Sequence, residues 1–214
     1  MTSAIADLRL EYAQHTLLEH NVAAHPVDQF SQWWDEAISS EIIESNAMTL
    51  ATASSDGMPA ARIVLLKGFD QSGFVFYTNY KSYKGLQLEE NPRACLVFFW
   101  KELERQVRIV GLVERVAGTQ SDTYFASRPA GSRIGAIASP QSQVIESREW
   151  LHDQFTNASN RFEEGITERP AYWGGYLVKP VVVEFWQGRP SRLHDRIQYS
   201  LEHAGTWKIE RLAP

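Results

Sequence analysis

The chain has 214 residues, 43% of them hydrophobic and 22% charged, which is typical of a soluble globular protein with a substantial core. Its net charge of −5, from 21 basic and 26 acidic side chains, argues against general binding to nucleic acid or membranes, so an anionic ligand would need local basic clusters. One cysteine, Cys95, excludes an internal disulfide framework, and the absence of a signal-peptide pattern or an apolar run of about 20 residues predicts a cytoplasmic protein.

In chain order, helical patterns come first. Residues 4–20 carry apolar side chains at helical spacing, and a second helix begins after Pro26 and Asp28. Further helices are predicted over residues 82–90, from 119 or 121 to 127, and over 147–163. The predicted strands are AMTLATA, PAARIVLLK, FVFYTN, ACLVFFW, RQVRIVGLVERV, GGYLVKP, VVVEFWQG, RLHDRIQYS and TWKIERL.

Many short antiparallel strands with inserted helices predict an α+β protein with a barrel-like sheet. We expect one structural domain overall, in which an N-terminal helical segment, residues 1–45, packs on a barrel formed by residues 46–214.

Two early segments concentrate polar side chains at the ends of predicted elements. Arg62 and Lys67 bracket four aliphatic residues, and their odd spacing places them on opposite faces unless the strand ends or bulges near Lys67. In YTNYKSYKG, Thr78, Ser82 and Lys84 surround a helix N-terminus, where free N–H groups and the helix dipole favour a phosphate. Ordinary strand-end charges and a simple capping serine are the alternatives.

The segment YFASRPAGS is a candidate for a second phosphate site. Tyr124 and Arg128 are four residues apart and share a helical face, and Ser132 follows on a predicted Pro-Ala-Gly turn. A phenol, a guanidinium and a hydroxyl are suitable phosphate donors. The alternative is a helix C-terminus with a capping arginine.

The pentapeptide RLHDR follows a run of aromatic residues near the end of the chain. On a regular strand, Arg192, His194 and Arg196 would share one face, with Asp195 on the other as a structural partner. Three potential cations on one face are tolerated if an anionic ligand lies across them, and Trp186 could lie against a flat ring. The alternative is a solvated edge strand.

No recognisable nucleophile or metal motif accompanies these clusters. HExxH, CxxC, GxSxG and the Walker lysine loop are all missing from the sequence, and the six histidines show no ligand spacing, so we expect no metal site. Two phosphate-type sites and many aromatic residues without a nucleophile favour chemistry carried by a bound cofactor.

Eight segments, in this order and spacing, resemble the pyridoxamine 5′-phosphate oxidase family over nearly the whole chain. They are RIVLLK, FYTN, ERQVRI, YFASRP, SPQS, EFWQG, RLHDR and WKIERLAP. The resemblance implies an FMN-binding split β-barrel that forms a homodimer with active sites at the subunit interface. It also implies oxidation of pyridoxine 5′-phosphate or pyridoxamine 5′-phosphate to pyridoxal 5′-phosphate, with hydride passing from substrate C4′ to flavin N5 and O₂ reoxidising the flavin to give H₂O₂.

Site residues follow from the same resemblance. The implied FMN contacts are Arg62, Ile63, Val64, Leu65, Leu66, Lys67, Tyr77, Thr78, Ser82, Tyr83, Lys84, Gln106, Gln141, Ser142, Trp186 and Arg196. The implied substrate contacts are Lys67, Tyr124, Arg128, Ser132, Arg192 and His194, with Arg9 and Tyr12 on an N-terminal stretch that can fold over the substrate. Arg192 and His194 are the expected catalytic pair.

Two positions depart from the family pattern. Tyr83 stands where the family usually has arginine, so a cation expected at the FMN phosphate is missing unless Lys81 replaces it. Leu10 replaces the second arginine of an N-terminal pair, which weakens that stretch as a substrate clamp. Two rival functions stay open: a related split-barrel flavin oxidase of phenazine biosynthesis, and an FMN- or pyridoxal-phosphate-binding protein without turnover.

Overall fold

A computed structural model of the chain describes residues 11–165 and 168–214. The described chain forms two compact units. The first consists of residues 11–49, Cys95–Val110 and Pro180–Pro214, and the second of Leu50–Ala94 and Gly111–Lys179. Neither unit coincides with the predicted division at residue 45, which stays a prediction.

The described residues contain five α-helices whose ends follow from local capping. Ser82 and Ser147 accept hydrogen bonds from backbone N–H groups of the turns that follow them, and Pro26 occupies the first turn of its helix. The helices are α1 (Pro26–Ser39), α2 (Tyr83–Glu90), α3 (Gly118–Ser127), α4 (Ala130–Ala138) and α5 (Arg148–Glu163). None of these helices is long and apolar enough to cross a membrane.

Nine strands in the described chain pair into one antiparallel sheet. They are β1 (Ala47–Ala53), β2 (Pro59–Leu65), β3 (Gly68–Asp70), β4 (Gly73–Asn79), β5 (Arg93–Trp100), β6 (Arg105–Arg115), β7 (Trp173–Gln187), β8 (Asp195–Leu201) and β9 (Trp207–Arg211). The pairing order is β2-β1-β5-β6-β7-β4-β3, with β8 pairing β7 and β9 pairing β8. The register Trp186↔Arg196 places these two residues side by side.

The core of the first unit is aromatic. Phe30 and Trp33 of α1 lie with their ring centroids 5.1 Å from Phe98 and 5.2 Å from Phe185, respectively. Phe185 also meets Tyr199 of β8 at 5.6 Å. Because each of these side chains is at least 97% buried, α1 is fixed on strands β5, β7 and β8.

The second unit has its own buried cluster on β4 and β7. Phe76 packs 5.6 Å from the ring of Tyr176, and Tyr80 meets Tyr176 edge-on at 5.2 Å. The alternation of buried and half-buried residues along β4 leaves Tyr77 facing away from Phe74 and Phe76. This alternation turns one side of β4 toward a cavity described below.

The N-terminal helix predicted over residues 4–20 is wrong for the described residues 11–18, which are not helical and are followed by a short 3₁₀ turn, Glu19–Asn21. The backbone N–H groups of Ala13 and Gln14 donate to the Glu104 carboxylate at 2.9 and 3.1 Å. Since these donors bond a distant side chain, they are not available for helical hydrogen bonds.

Three other predictions need correction. Helix α4 replaces the predicted turn at Ser132, because Pro129 ends α3 and begins a new helix. The predicted strands GGYLVKP and VVVEFWQG form one continuous strand, β7. Strand β8 begins only at Asp195, and Arg192 has φ 61°, so the strand alternation expected for Arg192 and His194 is wrong.

Candidate active site

The predicted site residues fall into two groups, and the larger group surrounds one cavity of about 600 Å³ in the second unit. Strand β2, strand β4, helix α2, helix α3 and the start of α4 contribute to its walls. Twelve predicted residues line it: Arg62, Ile63, Val64, Leu65, Lys67, Tyr77, Thr78, Lys84, Tyr124, Arg128, Ser132 and Gln141. Pro129 and Trp173, which were not predicted, complete the lining.

Arg62 is held on β2 by a buried polar network. Its Nη1 donates to the Leu50 carbonyl at 3.1 Å and to Thr52 Oγ1 at 2.6 Å, and Thr52 Oγ1 donates to Gln87 Oε1 at 2.6 Å. These bonds fix the guanidinium at the cavity wall. Lys67 lines the same cavity as Arg62, although their odd spacing would place them on opposite faces of a regular strand. The reason is that β2 ends at Leu65, two residues before Lys67.

Lys84 lies in the first turn of α2, where its ammonium is enclosed by oxygen atoms. Its Nζ donates to Thr78 Oγ1 at 3.2 Å, Ser82 Oγ at 3.3 Å and Gln141 Oε1 at 3.3 Å. Burial, and then the neighbouring positive charge of Arg62, lower the pKa of Lys84 to about 8. A buried ammonium with only neutral partners is poised for an anion.

Arg128 follows the last turn of α3 and stands over an aromatic wall. Its guanidinium carbon lies 4.6 Å from the ring centre of Trp173. The rings of Tyr77 and Tyr124 are stacked with centroids 3.9 Å apart. The ring of Trp173 is nearly parallel to that of Tyr77, with centroids 5.6 Å apart. The Nη1 atom of Arg128 is buried and has no hydrogen-bond partner among the described residues.

The cavity is strongly positive although the protein is acidic. Among the residues that the structure describes, the lining contains four cations, Arg62, Lys67, Lys84 and Arg128, and no carboxylate. Burial lowers the pKa of Arg62 and of Arg128, as it does for Lys84, because the charged forms lose water without gaining a counter-ion. The donor set and the unpartnered Arg128 Nη1 therefore fit phosphorylated ligands.

Four predicted cofactor contacts of the second unit do not line this cavity. Leu66 and Ser82 are buried, and the Ser82 hydroxyl donates to the Asn79 carbonyl at 2.6 Å, so its part is to shape the loop before α2. Tyr83 is 50% exposed and Ser142 is exposed with φ 72°. Lys81, the alternative cation, does not line this cavity either, and its Nζ lies 5.5 Å over the Tyr172 ring.

A second cluster of predicted residues, the His194 cluster, lies in the first unit. It consists of Tyr12, Trp186 and His194, with ring centroids 4.5 Å apart for Trp186 and His194 and about 6 Å apart for Tyr12 and either ring. A Cβ at Gly188 would lie 2.7 Å from the Tyr12 side chain, so only glycine lets Tyr12 approach this closely.

The protonation state of His194 follows from its hydrogen bond. The backbone N–H of Arg189 donates to His194 Nδ1 at 3.1 Å, so Nδ1 carries the lone pair and the proton of the neutral ring is on Nε2. Burial, and then the positive charge of Arg192, lower the pKa of His194. At neutral pH the ring is uncharged and offers an Nε2–H donor.

The N-terminal segment is fastened beside this cluster by two carboxylates. Besides the two bonds to Glu104, the Leu17 N–H donates to Asp195 Oδ2 at 3.1 Å. Asp195 also accepts from Arg211 Nη1 at 2.7 Å, which confirms it as a structural partner. Arg9 lies outside the described residues, whereas Tyr12 is placed against His194.

Strand alternation and the turn before β8 determine where the remaining predicted residues of the first unit lie. Arg192 is exposed in that turn, and Arg196 lies opposite Trp186 on β8. Gln106 is half-buried near the start of β6, on the same face as Arg108. Sequence reasoning missed Trp173 as a cavity wall, although its place before the Gly-Gly pair at the start of β7 was a usable signal.

Family models identify the chain. Residues 34–162 match the model described as pyridoxamine 5′-phosphate oxidase, and residues 173–214 match the C-terminal dimerisation region of pyridoxine 5′-phosphate oxidase. The chain belongs to the pyridoxamine 5′-phosphate oxidase family. It is therefore an oxidoreductase of a flavin-binding family, and its second matched region includes Trp186, Arg192, His194 and Arg196.

Relatives support this assignment over the full length. The chain is 56% identical over 211 residues to the pyridoxine/pyridoxamine 5′-phosphate oxidase of Bordetella petrii, covering 99% of this chain and 100% of that protein. It is 55% identical over 210 residues to the enzyme of the same name from Cupriavidus pinatubonensis, covering 98% and 99%.

Solved structures confirm the split-barrel fold. PhzG from Burkholderia lata, in complex with tetrahydrophenazine-1-carboxylic acid, superposes with a TM-score of 0.86 at 28% identity, covering 93% of this chain and 98% of that one. An FMN-binding protein from Nostoc punctiforme related to pyridoxamine 5′-phosphate oxidase gives 0.70 at 17% identity, covering 90% and 100%. The phenazine protein is thus a more distant relative than the B6-phosphate oxidases.

Proposed function

We propose that this protein oxidises pyridoxine 5′-phosphate and pyridoxamine 5′-phosphate to pyridoxal 5′-phosphate with FMN as cofactor and O₂ as electron acceptor. The observation that carries the proposal is the cavity that four cations line, with no carboxylate among its described lining residues and with Arg128 Nη1 buried and without a hydrogen-bond partner in the described part of the chain. Two phosphorylated ligands supply the missing negative charge. The full-length relatives at 55–56% identity are named pyridoxine/pyridoxamine 5′-phosphate oxidases, which supports these substrates and an oxidase reaction.

In this proposal, one group of cavity residues binds the FMN phosphate and a second group binds the substrate phosphate. Arg62 and Lys84 hold the FMN phosphate together with Thr78. The positive charge of Arg62 lowers the pKa of Lys84, and Lys84 Nζ donates a hydrogen bond to Thr78 Oγ1. Arg128, Tyr124 and Ser132 hold the substrate phosphate. Arg128 is suited to this because a guanidinium binds a phosphate through two parallel hydrogen bonds.

When bound, FMN would supply the acceptor for the hydride from substrate C4′ and the two-electron exchange with O₂ that gives H₂O₂. With the amine substrate, a water molecule replaces nitrogen and ammonia leaves. The chain's own residues bind and orient: Arg192 and His194 face the substrate ring and its oxygen substituents. Because His194 carries its proton on Nε2, it donates a hydrogen bond there and does not remove a proton through that atom.

We infer that a homodimer completes the active site. The matched dimerisation region, residues 173–214, contains Trp186, Arg192, His194 and Arg196, so these side chains belong to the segment that the family uses for subunit contact. Tyr12, placed against His194 and Gly188, would cover the substrate from the N-terminal segment. A single free cysteine fits a reducing compartment, and we propose the cytoplasm.

The direct test mixes the purified, FMN-loaded protein anaerobically with pyridoxine 5′-phosphate and follows the flavin absorption band. We expect the band to bleach and to recover when O₂ is admitted, with pyridoxal 5′-phosphate formed. Unphosphorylated pyridoxine is the matched control and should bleach the band far more slowly. A band that persists with pyridoxine 5′-phosphate but bleaches with a dihydrophenazine carboxylic acid would favour the phenazine oxidase, and persistence with both would favour a binding protein without turnover.

A further inference from the structure

Glu184 is a buried carboxylate outside the groups assigned above. It lies on β7, with a side chain only 3% exposed. A lone buried carboxylate is strongly destabilising unless cations and hydrogen bonds compensate it. The structure shows both compensations, and both come from arginines.

Each oxygen of Glu184 has its own arginine. Oε1 accepts from Arg196 Nε at 2.8 Å, and Oε2 accepts from Arg108 Nε at 3.2 Å and from Arg108 Nη2. Burial raises the pKa of Glu184, but the hydrogen bonds and charges of the two arginines outweigh it and lower the pKa overall. The carboxylate is therefore ionised, and the trio keeps one net positive charge.

The two arginines are not equivalent. Arg196 lies on β8 directly opposite Trp186, and its Nη1 donates to the Ala213 carbonyl at 2.8 Å. With Nε bonded to Glu184 and Nη1 bonded to the chain end, two of its three nitrogens are occupied. Its Nη2 has no hydrogen-bond partner among the described residues. The guanidinium is therefore held in one orientation with one edge left for a ligand.

We infer that Glu184 is a positioning residue for the cofactor: it orients Arg196 beside Trp186 so that the free edge of the guanidinium meets FMN. This inference rests on the proposed function, with FMN as cofactor, and on the family resemblance, which implies that Arg196 is an FMN contact. Arg108 serves the arrangement indirectly, because it neutralises the second oxygen of Glu184 and keeps the carboxylate charged in a buried place. In the sequence, Glu184 is the first residue of EFWQG and the one charged residue of the predicted strand VVVEFWQG, but the sequence pattern gives it no role.

A double-mutant cycle on FMN affinity tests the inference. The apoprotein is titrated with FMN, and binding is followed through quenching of FMN fluorescence, for wild type, E184Q, R196Q and E184Q/R196Q. We expect E184Q and R196Q each to weaken FMN binding about 10- to 100-fold, the range for a charge-assisted hydrogen bond. The double variant should bind no more weakly than R196Q alone, because Glu184 acts through Arg196.

The matched control is E210Q, which removes a half-exposed carboxylate paired with Lys208 on the adjacent strand β9 and should leave FMN affinity unchanged. If E184Q fails to fold, E184D takes its place in the cycle, since aspartate keeps the charge but is too short to reach Arg196 Nε. Wild-type FMN affinity in the Glu184 variant, or additive losses in the double variant, would overturn the inference and leave Glu184 a purely structural residue. Absence of FMN binding by the wild-type protein would instead overturn the proposed function and this inference with it.

Discussion

Raising the pH should weaken FMN binding through Lys84. In the free protein, burial and the charge of Arg62 lower the pKa of Lys84 to about 8, from an ordinary value of 10.5. A bound phosphate favours the charged ammonium, so its pKa is higher in the complex and binding takes up a proton above pH 8. Each pH unit above 8 then costs up to tenfold in affinity, or about 1.4 kcal/mol.

The assay is a fluorescence titration of apoprotein with FMN at pH 7, 8 and 9, with K84M as the comparison. Wild type should lose about five- to sixfold in affinity between pH 8 and pH 9, because about half of the Lys84 side chains are already uncharged at pH 8. K84M should bind about 10- to 100-fold more weakly than wild type at pH 7, and its affinity should not depend on pH over this range. An equal pH dependence in K84M and wild type would refute the role given to Lys84.

The same linkage has a stability consequence with a definite sign. Because the folded-state pKa of Lys84 lies below its unfolded value, the unfolded chain binds more protons between pH about 8 and 10.5. The free energy of unfolding of apoprotein should therefore rise with pH across this window by more in wild type than in K84M. Saturating FMN should remove the difference, since the phosphate restores the charged form.

Three further outcomes follow from the site. R128A should raise KM for pyridoxine 5′-phosphate about 10- to 100-fold with kcat nearly unchanged, while turnover of unphosphorylated pyridoxine stays as in wild type; a collapsed kcat at unchanged KM would contradict phosphate binding. H194Q, whose amide nitrogen can reach the position of Nε2, should keep more of kcat than H194N or H194A at full FMN content, and equal losses in all three would count against a donor role. G188A should displace the Tyr12 ring and raise KM without lowering FMN content, whereas an unchanged KM would show that Tyr12 does not touch the substrate.

Local patterns in the sequence were enough for most elements. Alternating strands and the helix starts near Pro26, Ser82 and Ser147 are decided by neighbouring residues, and the structure has these helix starts within a few residues of the predicted limits. The phosphate-type residues on RIVLLK, YTNYKSYKG and YFASRPAGS were also predictable, because each segment combines donors with an element end. In the structure, residues of all three segments line one cavity.

Other features depend on contacts between residues far apart in the chain. Residues 11–18 have a helical pattern, yet the carboxylates of Glu104 and Asp195 accept hydrogen bonds from the backbone N–H groups of Ala13, Gln14 and Leu17, and the segment is not helical. The turn before β8 adopts positive φ at Ser191 and Arg192, which removes the strand alternation expected there.

The sequence by itself determined the family, most of the strands and the residue types of the site, because those are properties of short segments in a fixed order. Only the tertiary structure decided the proton position on His194, the wall formed by Trp173, and the buried carboxylate that orients Arg196. The physical reason is the same in each case. A hydrogen bond or a ring contact needs two groups at a defined distance and angle, and for these groups the folded backbone alone sets both.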